Sequence, residues 1–260
     1  MERPLFERID PRYEHYFRGH TAQVKPGAFA VVSLVDATSV IKATCCLPSA
    51  KFLTFLQTNE SSGRQYTRRP VAGLPRVFEA LGPIAKDADG HSYFGFRMER
   101  LFDMPQPDGL RDAAYTQKQL LMGKLSAAFS AYHRNQNNHH QDFEFTDTAA
   151  SIEVARRLAN DSTNLLGQGF GFIATFLAQQ TEPKAVMDLM RPENLMFSRE
   201  GELILADPVA GVYDELGINV QGSDCTTYRG PKKGSGFRCS TKAMAVVFQN
   251  CPLVTDKWIG

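Results

Sequence analysis

Residues Met187–Val209 read MDLMRPENLMFSREGELILADPV and form the most informative stretch of the chain. Within it, ENLMFSREGELILADP holds two short apolar runs separated by residues with turn chemistry, which predicts a strand, a turn at Arg199–Gly201 and a second strand. Asn194 immediately precedes this hairpin and Asp207 ends it. A hairpin brings its two ends together, so Asn194 and Asp207 can face a single cation despite their separation in sequence. Asp188 lies a short way upstream and is a third oxygen-bearing side chain.

Those three groups match the needs of phosphoryl transfer. That chemistry asks for a carboxylate to orient the attacking hydroxyl, oxygen ligands for magnesium and a cation on the phosphates. Magnesium takes a few carboxylate or amide oxygens and keeps its waters and phosphate ligands. Asp188 is the candidate base; Asn194 and Asp207 are the candidate metal ligands. Taken alone, an Asp-Pro pair is most often a strand end followed by a turn, and an aspartate at a loop start is often a cap. The hairpin between Asn194 and Asp207 is what lifts these residues above that plainer reading.

Upstream, residues 28–44 (AFAVVSLVDATSVIKAT) are rich in β-branched residues around a polar turn at Asp36–Ser39, which predicts a two-stranded hairpin. Lys42 falls on its second, apolar strand. An ammonium there is costly without a partner, so phosphate binding explains it better than chance, the plainer alternative being an edge-strand lysine facing solvent. A short helix is expected over Ser49–Thr58, then strands at Pro75–Ala80 and Ser92–Leu101 around a turn in KDADGH. The linker Met104–Gly109 separates this part from a helix over residues 111–133. A polar loop (NQNNHHQDFEFTD) follows, and then one or two helices over 149–180, interrupted at Gly167–Gly171. The class is therefore α+β, with a strand-rich lobe over 1–101, including an N-terminal extension, and a helical lobe over 102–260 that carries the hairpin.

Bulk properties exclude several functions. Net charge is +1, which provides no field to recruit nucleic acid or an anionic membrane. The polar N-terminus does not read as a signal peptide, and no run of about 18 apolar residues exists, so a soluble cytoplasmic protein is expected. Five cysteines without paired C-x-x-C spacing point to free thiols rather than a zinc site or disulfide framework, with Cys45 and Cys46 as small core residues. His133, His139 and His140 have no ligand spacing and read as a solvated loop. Gly27 reads first as a turn glycine, although backbone amides of Gly27–Phe29 could approach a phosphate. The basic segment Tyr228–Lys242 reads as a solvated segment, with an acidic partner or a self-phosphorylation region as alternatives.

The catalytic-loop wording PENLMF, the spacing from Asn194 to Asp207 and VIK at Val40–Lys42 together resemble the protein kinases. HSYFGFRMERL resembles the strand leading into their hinge. Within that family the NLMFS…ADPV hairpin is similar to the early serine/threonine kinases of the T-seven group of bacteriophages. The resemblance covers roughly residues 27–210. It implies a two-lobed kinase-like fold with a reduced C-lobe, ATP and Mg2+ as cofactors, and host proteins in a bacterial cytoplasm as substrates. It assigns Asp188 as base, Lys42 to the α- and β-phosphates, Asn194 and Asp207 to the metal. Gly27 would lie by the phosphates, Met98 near the gatekeeper position, and Glu99 and Leu101 at the adenine edge.

Four departures accompany it. Asp188 lies six residues before Asn194, one more than in most kinases, which puts Leu189 at the usual position of the base. The glycine-rich loop is reduced to KPGAFAVV. The expected helix after Lys42 has no glutamate, Glu60 standing just beyond it. No Ala-Pro-Glu motif follows Asp207. An inactive kinase-like binding module acting on a host enzyme or transcription machinery is therefore the second reading, and a small-molecule kinase the third.

Overall fold

The computed structural model describes residues 6–17, 24–26, 30–61, 71–87, 90–106, 108–135, 148–180, 185–189 and 191–211. They are α+β and fall into two compact units. One takes the described residues up to Ser61 together with Val77–Arg100 and Gly211, the last residue of a strand otherwise in the other unit; that other unit takes 71–76 and Leu101–Ala210. The division is not collinear with the chain, because 71–76 interrupt the first unit in sequence and pack with the second. Gly27, the 136–147 loop and the basic segment 228–242 lie outside the described residues.

The first unit holds β1 (Arg8–Ile9), α1 (Pro11–Phe17), β2 (Val24–Pro26), β3 (Ala30–Leu34), β4 (Ser39–Thr44), α2 (Leu47–Ser61), β5 (Val77–Lys86) and β6 (Ser92–Glu99). The strands form an antiparallel sheet in the order β1-β5-β6-β4-β3-β2. The predicted β3–β4 hairpin is present. Its turn is built by Asp36, whose Oδ1 accepts from the Thr38 and Ser39 amides at 2.7 and 2.8 Å, the backbone-mimicking bonds that make aspartate a turn residue. Hydrogen bonds from Ser39 and Thr38 hold the Asp36 carboxyl well below its ordinary range. Alternate residues of β4 and its continuation, Ile41, Ala43 and Cys45, enter a core with Phe6, Phe17, Val31, Ile84 and Tyr93. Cys45 and Cys46 are buried free thiols, and burial pushes the Cys45 thiol up, so it behaves as a small apolar residue.

Two elements run longer than the sequence predicts. β5 continues past Ala80 to Lys86, although Gly82-Pro83 reads as a break. The strand crosses it with register shifts at Ala80/Gly82 and Pro83/Ala85, and Gly82 adopts φ +75°. Such bulges let a strand absorb residues that ladder pairing alone would reject. α2 starts at Leu47 because Pro48 sits in its first turn, where a missing N–H breaks no helical bond. Its other end reaches Ser61, so Glu60 belongs to the last turn rather than lying beyond the helix.

The second unit holds α3 (Arg111–Asn135), α4 (Thr148–Asn160), α5 (Gly167–Gln179), β7 (Ala185–Met187), β8 (Leu195–Phe197), β9 (Leu203–Leu205) and β10 (Val209–Gly211). The break between α4 and α5 falls at 161–166, not at the glycines. Asp161 makes it: its Oδ1 accepts from the Thr163 amide at 2.9 Å, its backbone carbonyl from the Asn164 amide at 2.9 Å, and Lys124 of α3 holds its other oxygen at 2.7 Å. The glycines instead open α5 to close approach, since a Cβ on Gly169 would sit 3.1 Å from the Ala72 carbonyl oxygen. Buried residues at Ala150, Ser151, Val154, Ala155 and Leu158 form the apolar stripe of α4. They pack with Phe170, Ile173 and Leu177 of α5 into the core beneath β7. Among the described residues, no helix is long and apolar enough to cross a membrane.

Candidate functional site

β7 is buried at all three residues and is fixed from one side of α4. Thr148 Oγ1 donates to the Ala185 carbonyl at 2.9 Å, and the Met187 amide donates to Ser151 Oγ at 3.0 Å. Thr148 and Ser151 are three residues apart and share a helix face. The chain leaves β7 at Asp188, whose amide donates to the Pro208 carbonyl at 2.9 Å, continuing the β7–β10 pairing. Leu189 then turns into the core with 0% exposure, while the Asp188 side chain keeps 30%. The apolar residue takes the interior and the carboxylate takes the polar surface of the loop.

Pro192–Asn194 make one 3-10 turn, with the Asn194 amide bonded to the Arg191 carbonyl at 3.0 Å. The Asn194 side-chain amide reaches back and donates to the Asp188 carbonyl oxygen at 2.5 Å. Its own carbonyl accepts from the Ala206 amide at 2.7 Å, which closes the mouth of the hairpin. β8 and β9 pair antiparallel with Leu195 opposite Leu205 and Phe197 opposite Leu203. The predicted turn sits where expected: Gly201 takes φ +88°, and Ser198 Oγ accepts from the Glu200 and Glu202 amides at 3.2 Å each. Asp207 lies between Ala206, bonded to Asn194, and Pro208, bonded to Asp188. Backbone bonds on both sides therefore gather Asp188, Asn194 and Asp207.

Electrostatics agree with that gathering. The Asp188 carboxyl is pushed up from 3.8 to about 6, chiefly because the surrounding protein desolvates it, with the negative charges of Asp207 and Glu193 adding to the shift. Arg191, its Nε 3.6 Å from Asp188 Oδ1, and a hydrogen bond from Asn194 oppose it. A desolvated Asp188 carboxyl that feels the negative charge of Asp207, beside an amide whose NH2 is already committed to the Asp188 carbonyl, makes a centre that a hard divalent cation would relieve. Among the described residues no group of three His, Cys, Asp or Glu side chains forms a metal cluster. The Asp207 carboxylate and the Asn194 side-chain oxygen are donor types that a hard divalent cation takes.

The first unit carries the other predicted residues. Lys42 is 6% exposed on β4, flanked by β3 and β6, with Val32 and Phe96 opposite it. That excludes the edge-strand, solvent-facing alternative. Met98 is buried opposite Val40, so strand alternation puts Lys42, Phe96 and Met98 on one face of the sheet and Glu99 on the other. Leu101 is half-buried and belongs to the second unit. Just after it, Phe102 exchanges two 2.8 Å backbone bonds with Phe197 and so pairs with β8.

Arg191 was not singled out from sequence, although a cation inside the loop between Asp188 and Asn194 is a visible signal. No protein-family model and no curated protein sequence matches the chain.

Proposed function

We propose that the chain is an ATP- and Mg2+-dependent phosphotransferase of two-lobed, kinase-like fold with a reduced C-lobe, acting on serine or threonine hydroxyls of host proteins. The observation that carries this reading is the gathering of Asp188, Asn194 and Asp207 with Leu189 buried away from them. The extra residue in the loop is thus taken up by the core, and the carboxylate remains at the polar surface. Asp188 orients the hydroxyl and accepts its proton; Asp207 and the Asn194 Oδ1 are the cation ligands. Arg191 offers a guanidinium to the anionic group being transferred. A bound magnesium ion would supply neutralisation of the charge on that group. Lys42, Met98, Glu99 and Leu101 keep the nucleotide roles that the resemblance implies.

Incubation of the purified chain with γ-labelled ATP, magnesium and a bacterial lysate tests it. Label is expected on protein serine or threonine, and Asp207→Ala lowers it at least about a hundredfold by removing a group that stabilises transition-state charge. A wild-type chain that labels neither itself nor the lysate sinks the activity.

A second reading, an inactive kinase-like binding module, is favoured by one observation. The only acidic residue of α2 is Glu60, in its last turn, so the helix offers no mid-helix carboxylate to a lysine. Failure of ATP with magnesium to raise the melting temperature would select it.

A further inference from the structure

The helix α3 carries a charge where its apolar pattern calls for a leucine. Ala114, Leu121, Leu125, Ala128 and Phe129 are buried at three- and four-residue steps along one face. Lys118 falls in the same stripe, between Ala114 and Leu121. An ammonium in that position needs a partner to offset its desolvation. Lys118 Nζ donates to the Leu195 carbonyl oxygen at 2.7 Å, and the carboxylates of Asp103 and Glu193 act on it as counter-charges.

Leu195 directly follows Asn194. Because Asn194 O and Ala206 N form a rung, the next pair, Leu195 with Leu205, points its backbone groups away from the hairpin. The Leu205 amide is met by the Gly73 carbonyl at 2.8 Å. The Leu195 carbonyl is met by Lys118. A long cationic side chain thus reaches from α3 to the carbonyl one residue beyond the candidate metal ligand.

We propose that Lys118 is a positioning residue of this site, anchoring the start of β8 so that Asn194 and Asp207 hold one cation-binding arrangement. The cation-binding part rests on the function proposed above; the anchoring part does not. Partners hydrogen-bonded directly to metal ligands typically change metal affinity by about 10- to 100-fold when removed, and Lys118, bonded one residue further out, is expected at the low end of that range.

Two measurements separate the parts. In the ligand-free protein, Lys118→Met removes the donor while keeping the length, and backbone amide exchange is followed residue by residue. The Ala206 amide, which closes the hairpin mouth, is expected to exchange about tenfold faster, while the Ile41 and Ala43 amides of β4 are unchanged. Lys118→Arg, which retains a donor, is expected within about threefold of wild type. Unchanged exchange at Ala206, or equal acceleration in β4, overturns the anchor. Should Lys118→Met not fold, Lys118→Leu, which likewise carries no donor, is read in the same way. In the second measurement, the magnesium concentration giving half of the ATP-dependent thermal shift is expected to rise about tenfold in Lys118→Met and to be restored by Lys118→Arg. An equal midpoint in wild type and Lys118→Met overturns the cation-binding part. A wild type with no magnesium-dependent shift removes the proposed function and, with it, the cation-binding part, while the exchange data still decide whether Lys118 anchors the hairpin.

Discussion

At Asp188 the balance is between desolvation, which favours the neutral acid, and Arg191 and Asn194, which favour the carboxylate. Desolvation wins. Below pH about 4 the group is protonated in both folded and unfolded chains and costs nothing; above about 6 it is ionised in both, and the folded chain bears the cost. Stability contributed by this group is therefore full at low pH and is lost as pH rises between those values. A shift from 3.8 to about 6 corresponds to about 3 kcal/mol at most, and to about 1–2 kcal/mol once the partial exposure of the side chain is allowed for. In urea titrations with EDTA present, Asp188→Asn should stabilise the protein by that amount at pH 7 and not at pH 4. A variant as unstable as wild type at pH 7 would show that the carboxylate is not desolvated. The neighbouring leucine works oppositely. Leu189 has 0% exposure, so Leu189→Ala should cost about 2–5 kcal/mol through lost burial and a cavity, and guanidinium unfolding midpoints would measure it.

Among elements, the β8–β9 hairpin is the instructive one. Two three-residue strands are marginal alone, yet outward backbone groups find partners: Phe102 on Phe197, Lys118 on the Leu195 carbonyl and Gly73 on the Leu205 amide. The turn at 71–76 supports the hairpin here through the Gly73 carbonyl, which meets Leu205 two residues before Asp207. Gly73 allows it, with φ +83° and Leu166 Cδ2 only 2.8 Å from where a Cβ would stand. Gly73→Ala combines left-handed strain with a clash and should cost about 2–3 kcal/mol, whereas Gly90→Ala, at φ +86° with open space, should cost about 1 kcal/mol. Equal melting temperatures for the two variants would contradict the docking of this segment. The β7 anchor is tested by Ser151→Ala, which leaves the Met187 amide without its acceptor in a site where Ser151 is fully buried. A loss of about 1–3 kcal/mol is expected on thermal unfolding.

For the whole molecule, the discriminating quantity is linkage between ligand and stability. A ligand that binds only the folded chain stabilises it by RT ln(1 + [L]/Kd), about 2.7 kcal/mol at a hundredfold excess over Kd, or about 5–10 °C in melting temperature for a chain of this size. ATP with magnesium should produce that rise in wild type and ATP with EDTA much less; equal curves would exclude a cation-assisted nucleotide site. Much of the architecture was legible in short windows of sequence. The β3–β4 hairpin follows from Asp36 between two apolar runs, the β8–β9 hairpin from Arg199–Gly201, and α3 from its alanine- and leucine-rich composition, because turn chemistry and helix propensity are local properties. The same locality made Asn194 and Asp207 recognisable as a pair. Three-residue β7 and β10 have too few residues to show a period, and β5 passes through Gly82-Pro83 only because β6 supports its bulges. Whether Asp188 or Leu189 turned outward, where residues 71–76 packed, and which group met the Leu195 carbonyl were settled by tertiary packing, since burying an apolar side chain and satisfying an outward backbone group depend on neighbours brought from far along the chain.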